Sequence, residues 1–273
     1  KIVRLIGDPQ RRIIRDPVRM MRVIRHAARA SFDIDKETWK AICLHRDKLL
    51  LCPVSRIRDE LLKDLSGGAC RRWAELAIES GLFFVLFPFC KVVMADGPDA
   101  KKHCKLLYDM LDVINRLILE GRGIPEELIF AALFLPWALS DNAYMDVKTQ
   151  KDSFLVSRTI KNALAESFAY LNLKRNLQDS VSRCIATLPL IINLKNVGTW
   201  PKWLQKKSYF EKGLVLFQLY SEATGKKTVQ PAELKLSTPE IEKPIRKTSF
   251  RGGLRGVAFA PTTAGGVFGF RKG

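Results

Sequence analysis

Residues 7–35, GDPQRRIIRDPVRMMRVIRHAARASFDID, hold the densest set of chemistry-bearing side chains in the sequence. At about 100° per residue, Arg15, Arg19, Arg22, Arg25 and Arg29 fall on one stripe of a predicted helix. Met20, Met21, Val23, Ile24, Ala27 and Ala28 take the opposite side. One face packs while the other presents guanidinium groups. Arginine is permanently charged and offers a planar fork of donors, so such a row suits phosphates and base edges. Asp16-Pro17 reads as an N-cap followed by proline at the first helical position, which fixes where the stripe begins.

Other reactive side chains offer less. The only Asp-x-Asp is Asp33 and Asp35, and Asp35, three residues before Thr38, reads as an N-cap rather than a metal ligand. Cys43, Cys52, Cys70, Cys90, Cys104 and Cys184 form no C-x-x-C pair and no zinc-like spacing with His26, His45 or His103. Scattered single cysteines in an apolar chain fit buried, reduced thiols and a cytoplasmic setting. No nucleophile stands beside a base.

The elements that must position the stripe are helical. Residues 101–120 place Leu106, Leu107, Met110, Leu111, Ile114, Leu117 and Ile118 at i, i+3, i+4, i+7 spacing, and 152–171 and 209–224 repeat the pattern. Glycine and proline breaks fall at 67–68, 81, 97–98, 121–125, 198–201 and 225, each between helical stretches. Strand-like alternation is absent before the tail. The apolar runs at 82–89 and 128–139 are too short to span a bilayer and read as core. With 46 Lys plus Arg against 28 Asp plus Glu, the net charge of +18 favours polyanionic partners; an anionic membrane surface is compatible, insertion is not.

The pattern GDPxxRIxxDPxRMxRxIRxAAxxxFxID, continued by Thr38, Ala41, Ile42 and VSRIRDELLKDL at 54–65, resembles the head–neck junction of bacterial poly(A) polymerases and CCA-adding tRNA nucleotidyltransferases. These form the second class of polymerase-β-like nucleotidyltransferases. The resemblance implies an all-α fold, an elongated multi-helix neck and body. It divides the chain into the end of a catalytic head (1–15), a neck (16–66), a body (67–225) and an irregular basic tail (226–273). It also implies that Asp16 and Arg19 read the base of an incoming ATP and that Arg22 and Arg25 contact its phosphates. Arg15 stands where the family has Glu. Arg29 and Arg56 are the RNA contacts expected of the neck.

The family's two metal-binding aspartates have no counterpart in this sequence, so Mg²⁺ ligands are expected in a head domain outside it, and this chain alone is expected to be inactive. The stretch PEELIFAALFLPWAL, with Leu135, Pro136 and Trp137, and the helix at 209–225 resemble poly(A) polymerases more than CCA-adding enzymes. The expected function is AMP transfer from ATP to RNA 3′ ends, with CCA addition as the alternative. A noncatalytic RNA-binding relative is the other reading.

From Lys226 onward proline and glycine alternate and periodicity ends. Lys247, Arg251 and Arg255 lie among phenylalanines here, a composition suited to phosphate contact and base stacking on RNA. A basic disordered terminus has the same composition.

Overall fold

The computed structural model describes residues 1–194 and 200–225, apart from the side chain of Asn142. Its helices are α1 (Pro9–Arg15), α2 (Arg19–Ala30), α3 (Lys36–His45), α4 (Val54–Leu65), α5 (Cys70–Glu79), α6 (Leu82–Leu86), α7 (Lys91–Met94), α8 (Ala100–Leu119), α9 (Glu126–Ala138), α10 (Gln150–Tyr170), α11 (Arg175–Leu194), α12 (Lys202–Gln205) and α13 (Phe210–Ala223). The protein is all-α, as the apolar spacing predicts. Among the described residues the small exception is a parallel pair of two-residue strands, β1 (Ile2–Val3) and β2 (Asp33–Ile34), with Ile2 opposite Asp33 and Val3 opposite Ile34. Strands this short carry no periodic signal, so the sequence could not announce them.

The first helical turns are set by side-chain caps. Asp8 accepts from the backbone of Gln10 at 2.9 Å and of Arg11 at 3.3 Å to start α1. Asp35 accepts from Thr38 N at 3.1 Å and Oγ1 at 3.2 Å, which confirms it as the cap of α3. The Thr38 backbone N–H is the largest influence holding the Asp35 carboxyl below its ordinary value. Thr149 and Asp152 form a reciprocal capping box at the start of α10.

One correction concerns the arginine helix. Arg15 and the later arginines of the stripe lie on two different helices: Asp16 N–H closes α1 by donating to Arg12 O at 3.1 Å, and Pro17 and Val18 make the turn before α2. Arg15 therefore ends α1, off the stripe. Asp16 does not cap α2 with its side chain, because that carboxylate is held by guanidinium groups instead. The opposite face behaves as the pattern predicts, with Met20, Met21, Val23, Ile24, Ala27 and Ala28 all buried. They pack against α5, which ties α2 to the helices that follow.

Beyond α5 the core is organised around α9. Every residue from Leu128 to Pro136 is buried, so this helix is apolar all round and can only sit at a centre. It packs on α8, α11 and α13. An aromatic chain runs through it: Phe134 lies 5.0 Å from Phe87 and 5.2 Å from Phe89, and Phe89 lies 5.2 Å from Trp137. Edge-to-face contacts of this kind add about 0.5–1.5 kcal/mol each beyond area burial. Among the described residues no helix is long and apolar enough to cross a membrane.

Candidate nucleotide and RNA interface

The arginines of α2 do not form a free face. The helix packs on α4, and Arg22, Arg25 and Arg29 each reach a residue of α4. At the α1–α2 corner, Asp16 Oδ2 lies 3.5 Å from Arg19 Nε and Asp16 Oδ1 lies 3.1 Å from Arg56 Nη2. Three of the residues singled out from sequence thus meet in one cluster. The Asp16 side chain is 20% exposed and those of Arg19 and Arg56 are 40% and 44% exposed. This partly open carboxylate between two more exposed fork donors presents hydrogen-bond acceptors and donors side by side.

One and two turns along α2, Arg22 and Arg25 converge on Glu60 of α4. Arg22 donates to Glu60 Oε1 from Nη2 at 3.0 Å and from Nε at 3.3 Å, and remains half exposed. Arg25 is buried. Its Nη2 donates to Glu60 Oε2, its Nη1 reaches Glu60 O at 3.4 Å, and the same Nη1 lies 3.3 Å from Asp64 Oδ1. Arg25, expected with Arg22 to contact phosphate, thus has its guanidinium against two acids of α4. Its guanidinium is enclosed by two carboxylates because a buried cation must be paired.

The two carboxylates respond oppositely to burial. Desolvation pushes Glu60 up, but the hydrogen bonds and charges of Arg25 and Arg22 outweigh it and hold the group below its ordinary value. Asp64 is more deeply buried and is ion-paired rather than hydrogen-bonded to Arg25. Desolvation dominates there and pushes its carboxyl up to about 8, with Arg25 only partly offsetting it. Glu60 and Asp64 were missed from sequence. Their four-residue spacing beside Ile57, Leu61 and Leu65 puts two acids on the apolar face of α4, a signal that buried cations must lie opposite.

Arg29 closes the row. Its Nη2 donates to Lys63 O at 2.9 Å, a cation at the C-terminal turn of α4 where the helix dipole favours positive charge. Gly67 leaves room for it, since a Cβ there would come within 2.3 Å of Arg29 Nη2. Lys247, Arg251 and Arg255 lie outside the described residues. Among the described residues no group of three or more His, Cys, Asp or Glu side chains could hold a metal ion.

The part of the chain that holds α4 and the helices α5 to α7 after it is also where a family comparison falls. Residues 31–94 match the family described as "Probable RNA and SrmB- binding site of polymerase A". The chain is 26% identical over 236 residues, 85% of its length, to poly(A) polymerase I of Haemophilus influenzae, and spans 51% of that protein. It is 31% identical over 133 residues to poly(A) polymerase I of an Escherichia coli strain, covering 49% of this chain and 28% of that one. A CCA-adding enzyme of a Geobacillus species is 37% identical over 86 residues, 32% of this chain and 21% of that enzyme. The chain spans about half or less of the length of these relatives. Over the matched residues it is similar to part of the bacterial poly(A) polymerases and CCA-adding enzymes.

Proposed function

We propose that this chain is the nucleotide-selecting and RNA-holding portion of a poly(A) polymerase, with 16–66 acting as neck, 67–225 as body and 226–273 as a basic tether. The whole enzyme would transfer AMP from ATP to an RNA 3′ end and release pyrophosphate. The observation that carries the reading is the Asp16 cluster: one carboxylate, partly open to solvent, with an arginine at each oxygen. Asp16 would accept from the adenine amino group and Arg19 donate to a ring nitrogen, so protein groups copy a base-pairing edge. Arg22, half exposed and aimed by Glu60, is the phosphate contact; Arg25 supports that placement from beneath. The chain alone would bind RNA without extending it.

Extent of similarity favours AMP addition, since the Haemophilus match runs over 236 residues and the CCA-adding matches over 86, 81 and 83. The higher identity of those shorter matches, 37% over 86 residues in one case, keeps CCA addition as the second reading. The test joins the chain to a catalytic nucleotidyltransferase head and measures ATP against CTP incorporation on an RNA primer. Arg19→Ala should lower the ATP:CTP ratio roughly 5- to 100-fold, the worth of one base-edge contact, while Arg29→Ala should leave the ratio unchanged. Equal ratios in Arg19→Ala and the parent would remove Asp16 and Arg19 from base selection.

A further inference from the structure

Far along the chain from the arginine row, α10, α11 and the turn entering α13 enclose a cleft of about 110 Å³. Phe154 stands at its edge with 56% of its surface exposed. Across the cleft, the Arg183 guanidinium lies over the Tyr209 ring, 5.6 Å from its centroid. Burial pushes the Tyr209 hydroxyl up in pKa, so the ring stays a neutral stacking surface. Lys207 also lines the cleft, and among the described residues neither Arg183 nor Lys207 is paired with a carboxylate. Ser157 donates its hydroxyl proton to Phe154 O at 2.8 Å, which leaves its lone pairs as acceptors. Gln150 adds an exposed amide.

Aromatic faces beside cations that no described carboxylate pairs are the two components that single-stranded nucleic acid requires: π-surfaces for bases and positive charge for the backbone. The cleft falls below the roughly 300 Å³ of a stand-alone small-molecule site, so it suits one unit of a polymer held elsewhere. A protein partner would call for a broad apolar patch, whereas the lining mixes two cations, an amide and the hydroxyls of Ser153, Ser157 and Thr187 with the rings. We propose that this cleft is a second RNA subsite that takes one unpaired nucleotide. The base stacks on Phe154 and on the Arg183–Tyr209 pair, and the adjoining phosphate sits on Lys207. The assignment rests on the RNA-holding reading above but adds a contact outside the arginine row.

The test measures binding of a fluorescent oligoadenylate to the full chain across a salt series, with Phe154→Ala and Lys207→Gln compared with wild type. Both residues lie at the surface, and unchanged thermal midpoints verify the fold. Phe154→Ala should weaken binding roughly 5- to 30-fold, as expected for one stacked base, with an unaltered slope of log affinity against log salt. Lys207→Gln should flatten that slope by about 0.7, the value for one phosphate on a single strand. An oligonucleotide of abasic residues should be insensitive to Phe154→Ala. If wild type binds oligoadenylate while both variants match it in affinity and slope, the subsite is overturned and the RNA-holding reading stands. If wild type binds no RNA, both fall.

Discussion

The buried position of Arg25 makes a prediction that separates a structural role from a ligand contact. Arg25, Glu60 and Asp64 side chains are 9%, 7% and 0% exposed. Arg25→Met preserves the aliphatic stem but removes the charge, so Glu60 keeps only the half-exposed Arg22 and the exposed Lys63, 3.6 Å away, and Asp64 loses its ion-pair partner. Breaking one side of a buried pair costs about 3–5 kcal/mol, which for a domain of this size lowers Tm by roughly 6–20 °C. Adding Glu60→Leu should recover most of that loss, because the uncompensated carboxylate disappears. Asp64 then remains, and at neutral pH it is already largely protonated, since burial raises its pKa to about 8. Thermal and urea denaturation of wild type, both single variants and the double variant give the coupling directly. A Tm for Arg25→Met within about 2 °C of wild type, together with weakened ATP binding, would refute the buried-pair reasoning and restore Arg25 as a phosphate contact.

Two further outcomes follow from the same physical terms. Asp64 is raised in the folded state, so its contribution to stability is complete below its ordinary value of 3.8 and is lost as pH rises toward about 8. Asp64→Asn should remove a slope of up to about 1.4 kcal/mol per pH unit from urea unfolding free energies measured between about pH 5 and 7.5; a variant with the parent's slope would show that Asp64 ionises normally. Deleting residues 226–273, whose lysines and arginines far outnumber their acids, should weaken RNA binding and flatten its salt dependence, and an unchanged slope would make the tail a spectator.

Much of this architecture is written in local patterns, and the exceptions are instructive. The apolar face of α2, the all-round apolarity of α9 and the Asp35 cap depend on residues a few positions apart, so spacing alone reveals them. The arginine row was legible as chemistry but not as geometry. A helical stripe says which side chains share a face and not what covers that face, and α4, some 35 residues on, covers it through Glu60, Asp64 and the Lys63 carbonyl. Asp16-Pro17 misled for a related reason. The dipeptide does mark a helix boundary, but the carboxylate is drawn to Arg19 and Arg56, and Arg56 lies 40 residues away. The Phe154 cleft had no sequence signal, because its walls come from three separated stretches.

The sharing of Glu60 between a buried and a half-exposed arginine bears on the entropy of capturing an anion. A free surface arginine surrenders about 2 kcal/mol of rotamer freedom when its fork is fixed. Arg22 has surrendered much of that freedom beforehand, with Nε and Nη2 both on one Glu60 oxygen and Glu60 itself gripped from the interior by Arg25. Its Nη1 has no such tether to Glu60. An anion arriving there meets a donor already held in place, so most of the ordering cost has been met in folding rather than in binding.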